Sequence, residues 1–136
     1  MAQEYKIDEQ QQVVWSRCWG ILSNADIATQ QAALRADHRF RPTMNQLVDA
    51  ADVTEVAVTV EAVNQMGQST LFAPTAKRAY VVTKDALYGM IRMYELHQAA
   101  RGSESVRVFR DRAVALAWLG AGEPRTESRG QEPRIA

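Results

Sequence analysis

Cys18, His38 and His97 are the side chains of this sequence best suited to act as nucleophile, proton carrier or metal ligand. A thiol needs a base or a cationic neighbour to become a thiolate. A zinc site needs three or four Cys, His or acidic ligands. Cys18 stands in the run Val13 to Trp19, on the same side as Val14 and Ser16, where a thiol behaves as a small apolar group. His38 falls in a loop and His97 late in a helical run, neither with a partner at metal-ligand spacing. The chain has no Gly-rich phosphate loop, no nucleophile elbow and no paired-histidine zinc motif. These residues predict a protein that is not an enzyme, with no cofactor and no metal.

Two other groupings carry polar chemistry. Thr59 sits at a predicted helix N-terminus, where backbone N–H groups and the helix dipole favour an anion such as phosphate. Thr is also a good N-cap, which is its plainer role there. Asp49, Asp52, Lys84, Asp85, Arg110 and Asp111 follow the C-terminal ends of predicted strands, the edge where α/β folds usually hold ligands. Together they form a candidate polar edge for a small ligand or a partner loop. As helix caps and solvated loop charges they are also ordinary.

The elements that must position these residues are legible in order. Glu4–Asp8 and Val13–Trp19 read as a hairpin of two strands, rich in β-branched and aromatic residues. Ser23 caps a helix to Ala36, with Asp26 completing an approximate capping box. The loop from Asp37 to Thr43 leads to a short strand, Asn45–Asp49, and then an acidic turn from Ala50 to Glu55. Thr59 caps a helix over 60–71, stopped by Pro74. Arg78–Val82 is a strand, Thr83 or Asp85 caps a helix to Arg101, and Gly102 ends it. Val106–Phe109 is the last strand; Asp111 caps a helix over 112–119, closed by Gly120. The order β-β-α-β-α-β-α-β-α predicts an α/β fold with a five-stranded mixed sheet. Its strands are parallel with right-handed crossovers, except for the first, an antiparallel edge.

Bulk properties narrow the class. The 136 residues predict one domain, residues 1–121, and a disordered tail, 122–136, which is rich in Pro, Gly and charge. Sixteen basic and sixteen acidic side chains cancel, so no net field draws the chain to nucleic acid. A single cysteine excludes an intrachain disulfide. No apolar run approaches the roughly 20 residues that span a bilayer, and the start lacks a secretory pattern. The expected location is the cytoplasm.

The same order resembles the STAS domain, the fold of anti-sigma-factor antagonists. More closely, it resembles small stand-alone bacterial proteins described as STAS/CRAL-TRIO-like, most of which lack an assigned biochemical role. The likeness rests on Arg39-Phe40, Leu47-Val48-Asp49, Tyr80 through Asp85, Gly89 through Glu95, Val108 through Asp111, and Ala117 through Gly120. It implies a βα superhelix with helices mainly on one face of the sheet. In signalling STAS domains a Ser opening the second helix is phosphorylated. Here that stretch is Ala57-Val58-Thr59-Val60, with Ala57 in place of the usual Asp and Val60 in place of Gly.

Function follows from faces. The helix after residue 85 carries Leu87, Met90, Ile91 and Tyr94 on one stripe, widened by Met93, Leu96 and His97 beyond what one core contact needs. Gly89 in its middle costs about 1 kcal/mol relative to Ala, which a close backbone approach would offset. If the opposite sheet face is bare, it presents Trp15, Arg17 and Trp19, joined by Arg78, Tyr80, Arg107 and Phe109, an aromatic patch with basic spots suited to an interface. The leading expectation is a regulatory protein-interaction module forming a homodimer, with Met93 and His97 as further interface residues and a regulatory protein as partner. The alternative is a binding module for an apolar or lipid-like small ligand, an idea taken from the CRAL-TRIO likeness.

Overall fold

Alternating apolar residues in two neighbouring segments start the sheet. Gln3–Asp8 (β1) pairs antiparallel with Val13–Ser23 (β2), with Tyr5 opposite Ser16 and Ile7 opposite Val14. The structure, a computed structural model, describes residues 3–68 and 70–124. The other elements are Asn24–Ala36 (α1), Asn45–Ala57 (β3), Val60–Gly67 (α2), Arg78–Val82 (β4), Asp85–Ala100 (α3), Val106–Phe109 (β5) and Arg112–Leu119 (α4). The sheet order is β1-β2-β3-β4-β5, and β2 to β5 run parallel. The tail expected over 122–136 falls largely outside the described residues. Of its first residues, Gly122 exchanges hydrogen bonds with the Gln11 side chain, and Glu123 pairs with Arg112.

Both central strands run further than the sequence pattern suggests. The segment read as an acidic turn, Ala50 to Glu55, is strand, pairing with β2 from Trp19 to Ser23. Alternation explains this: Val53 is buried while Asp52 and Thr54 on either side are exposed. A strand serves that pattern as well as a turn. Two register shifts, one between Arg17 and Trp19 and one between Gly20 and Ile21, accommodate the extension. Gly20 takes φ +65°, a value that costs Gly little. Since β4 ends at Val82 opposite Ala50, this β2–β3 ribbon projects beyond the rest of the sheet.

Caps fix the helix starts. Ser23 accepts from the Asp26 backbone N–H and Asp26 accepts from the Ser23 backbone, a complete capping box. Asp111 accepts from the N–H groups of Ala113 and Val114. For α3 the expected cap is corrected. Lys84 occupies the cap position without a side-chain bond, and the Thr83 hydroxyl instead donates to the Ala51 carbonyl. Helix α2 ends at Gly67, and Leu71 is buried with Val14, Leu34 and Met44 as part of the following loop.

Side chains divide between the two faces by strand parity. Tyr80 and Val82 join Leu87, Ile91 and Tyr94 of α3 and Val63 of α2 in one core. Ala79 and Val81 join Val13, Trp15 and Leu47 beneath Ala115, Leu116 and Leu119 of α4. Three helices therefore cover one face and α4 covers part of the other. A bare second face is corrected on this point: the apolar stripe of α4 needs burial, and Trp15 supplies its floor. Tyr80 is corrected too, because its parity places it on the three-helix side, 8% exposed.

Gly89 makes no close approach either: a Cβ there meets no atom within 4 Å. Gly89→Ala is expected to stabilise the domain by about 1 kcal/mol, read as a rise of roughly 3–5 °C in the midpoint of thermal unfolding.

At the C-terminal end of α1 the chain is pinned by charge. The Arg39 guanidinium donates to Asp37 at 3.0 and 3.2 Å, the Arg39 N–H at 3.0 Å and the Tyr5 hydroxyl at 2.9 Å. These bonds, the Arg39 side chain first, hold the Asp37 carboxyl well below the usual carboxylate range. A depressed folded-state pKa stabilises above the unfolded value, about 3.9, and that contribution fades as pH falls below it. Asp37→Asn should therefore be less stable than the parent at neutral pH. In denaturant titrations the difference should hold down to about pH 4 and shrink below it.

Candidate functional site: a cavity beneath the first three helices

Helix α1 packs on β1 and β2, while α2 packs on α3. Between these two packing units, above the sheet, lies a cavity of about 100 Å³. Its walls are mainly apolar: Leu22 and Ala50 from the sheet, Ile27 from α1, Val63 from α2, and Leu87 and Ile91 from α3. A dry apolar cavity of roughly 150 Å³ is large enough to admit benzene, so this volume suits a compact apolar group or part of an alkyl chain.

The sequence makes this space for a physical reason. Helix α1, NADIATQQAALRA, is rich in Gln and Ala, and Leu34 is its one fully buried residue. Ile27 reaches the core only in part, and Gln30 and Gln31 line the opening. A helix with so narrow an apolar stripe cannot fill the floor beneath it. Its start is tied to α2 by Asn24, which donates to the Thr59 hydroxyl at 3.2 Å and accepts from the Thr59 N–H at 3.1 Å.

A row of buried polar groups crosses the floor. Gln46 donates to Ser16 at 3.0 Å, and the neighbouring Arg78 donates to the Tyr94 hydroxyl at 2.8 Å. Burial raises the Tyr94 phenol above its ordinary value, and raises Tyr80 further with help from the nearby Tyr94. Both stay neutral at physiological pH. Cys18, also on the wall, is pushed up to about 12 by burial and then by Asp49 and Asp26. It is a thiol and a poor nucleophile at neutral pH.

Each residue singled out from the sequence has a definite place. Thr59 caps α2, its hydroxyl accepting from the Ala62 N–H at 3.1 Å. Of the polar-edge residues, Lys84, Asp85, Arg110 and Asp111 follow the ends of β4 and β5, whereas Asp49 and Asp52 lie within the extended β3, and most of the six are occupied with one another or with nearby arginines. Asp49 pairs with Arg112 at 2.8 Å, Asp52 with Arg17 at 3.0 Å and Asp85 with Arg110 at 2.8 Å, while Asp111 caps α4. Lys84 is exposed at the start of α3. The interface candidates do not share one surface. Trp15 is buried under α4, Tyr80 lies inside, and Arg17 and Arg107 are exposed. Trp19 is half-buried with the Arg17 guanidinium 4.7 Å from its ring centre, and Met93 and His97 are half-buried on α3.

Gln46 is the residue the sequence reading missed at the cavity, and Arg78, expected with Tyr80 on the opposite face, is corrected with it to the three-helix side, where it meets Tyr94. The signal was available: a charge opening the otherwise apolar strand Arg78-Ala79-Tyr80-Val81-Val82, in phase with Tyr80 and Val82. Among the described residues no group of three or more His, Cys, Asp or Glu is arranged to hold a metal ion. Nor is any helix among them long and apolar enough to cross a membrane.

Comparison with known proteins bears on the fold. No family model and no curated protein sequence matches the chain. A solved structure does: an uncharacterised protein of the DUF3478 family with a SpoIIAA-like fold, from Shewanella loihica PV-4. It aligns at a TM-score of 0.56 and 16% identity, over 87% of this chain and 94% of that one. At such identity the likeness concerns the backbone and not the site. Strand order, parallel crossovers and this match together give the chain a SpoIIAA-like, STAS-type α/β fold.

Proposed function

We propose that the protein is a non-catalytic binding module that takes a small apolar or lipid-like ligand between the sheet and helices α1 to α3. The cavity carries this reading, because native cores are otherwise packed to crystal density and a void of this size forfeits contacts unless something fills it. The neutral thiol and phenols on its wall favour binding over chemistry. Calorimetric titration with octanol is the test. Saturable one-to-one binding is expected, with a thermal midpoint that rises with ligand concentration by mass action. Failure of both octanol and octanoate to bind would remove the reading.

A second reading, a regulatory module that pairs with a copy of itself, rests on a different observation. The projecting β2–β3 ribbon leaves Ile21 55% exposed, and beyond Ala50 no strand among the described residues lies beside the outer side of β3. Such an edge invites strand addition, although Asp52 and Glu55 guard it. Sedimentation at increasing protein concentration decides: a monomer mass throughout excludes pairing.

A further inference from the structure

We infer that the ligand of the cavity is an amphiphilic monocarboxylate, its carboxylate on Arg78 and its apolar body among the α1 to α3 side chains. This rests on the cavity reading and names its ligand class.

Arg78 is 6% exposed. A guanidinium withdrawn from water that far loses solvation worth several kcal/mol, and buried arginines are ordinarily paired with an acid. Five more exposed arginines show the contrast: Arg17, Arg39, Arg92, Arg110 and Arg112 each hold a carboxylate. Arg78 forms no ion pair among the described residues. Its Nη1 donates to the Tyr94 hydroxyl at 2.8 Å and its Nε to the Ala76 carbonyl at 3.3 Å, and its Cζ lies 5.5 Å from the Phe72 ring centre. All three partners are neutral. Nη2, with two hydrogens to give, has no acceptor among the described residues.

Position supplies the second observation. Arg78 and Phe72 line the apolar cavity and also line a second groove, of about 270 Å³, on the far side. The groove is bounded by Pro74 and Ser103, and none of its described lining residues is acidic. Arg78 thus stands at a partition between an apolar space and a mixed one that also carries Gln68, Thr70, Gln98 and Arg101. A molecule that places its tail in the first and a single negative charge at the partition satisfies both. One guanidinium balances one charge, and its planar fork matches the two oxygens of a carboxylate. Asp26, the acid on the cavity wall, is engaged in its capping box and does not compete.

The experiment compares octanoate, octanol and inorganic phosphate by calorimetry at neutral pH, on the parent and on Arg78→Met. Octanoate is expected to bind at least about tenfold more tightly than octanol to the parent, the worth of a charge-assisted hydrogen bond. Arg78→Met is expected to erase that preference, bringing the ratio of octanoate to octanol affinity to about one. Equal affinity for octanoate and octanol on the parent, a comparison needing no variant, overturns the assignment to Arg78 and leaves the cavity reading standing. Phosphate binding as tightly as octanoate overturns the amphiphile. Binding of neither octanoate nor octanol overturns both readings together.

Discussion

Trp15→Ala is expected to lower stability by about 3–5 kcal/mol, the usual cost of truncating a large buried aromatic. Trp15 is 8% exposed and packs beneath Leu116 and Leu119 of α4. Its indole N–H lies 3.4 Å from Asp8, and the Arg112 guanidinium is 5.8 Å from its ring centre. Removing it leaves α4 without its floor and loosens the Arg112 pairs with Asp49 and Glu123. A domain of this size holds roughly 5–15 kcal/mol in all, so the variant should unfold at markedly lower urea concentration. Its mass in solution should not change on that account, since this side chain serves packing within one chain. Had the second face been bare, the same substitution would have affected association instead.

Ala50→Ile is expected to have the largest effect on binding. Ala50 is 2% exposed in the centre of β3, on the cavity wall. A β-branched side chain suits a strand, and the added carbons enter empty space rather than a packed core. The stability change should therefore stay within about 1.5 kcal/mol. The ligand loses room for roughly three methylene groups, each worth about 0.8 kcal/mol, which corresponds to an affinity drop of roughly fiftyfold. A calorimetric titration of octanoate or octanol into folded Ala50→Ile checks this. Undiminished affinity would place the ligand elsewhere.

Much of this architecture was readable because local signals were strong. Ser23 with Asp26, Asp111, and Gly120 at φ +72° mark helix ends by unambiguous capping chemistry, and the structure has helix ends at those positions. The extension of β3 was not readable, because Asp52 and Glu55 carry turn-like identities and only pairing with β2 makes the segment a strand. The covering of Trp15 was hidden for a related reason. Periodicity says that Trp15 and Arg17 share a face; it does not say whether the last helix returns over that face. The cavity was hidden too: a void results from what α1 fails to fill, and no residue announces it. Arg78 was the one part of the site with a signal in the sequence, a lone charge in phase with apolar neighbours.

Methyl resonances of the labelled protein during titration with octanoate test the central claim most directly. The account predicts saturable shifts at Leu22, Val63, Leu87 and Ile91 around the cavity, with Leu116 and Leu119 beneath α4 unmoved. Shifts confined to Val81, Leu116 and Leu119, or to exposed residues such as Ile21 and Val114, would contradict it.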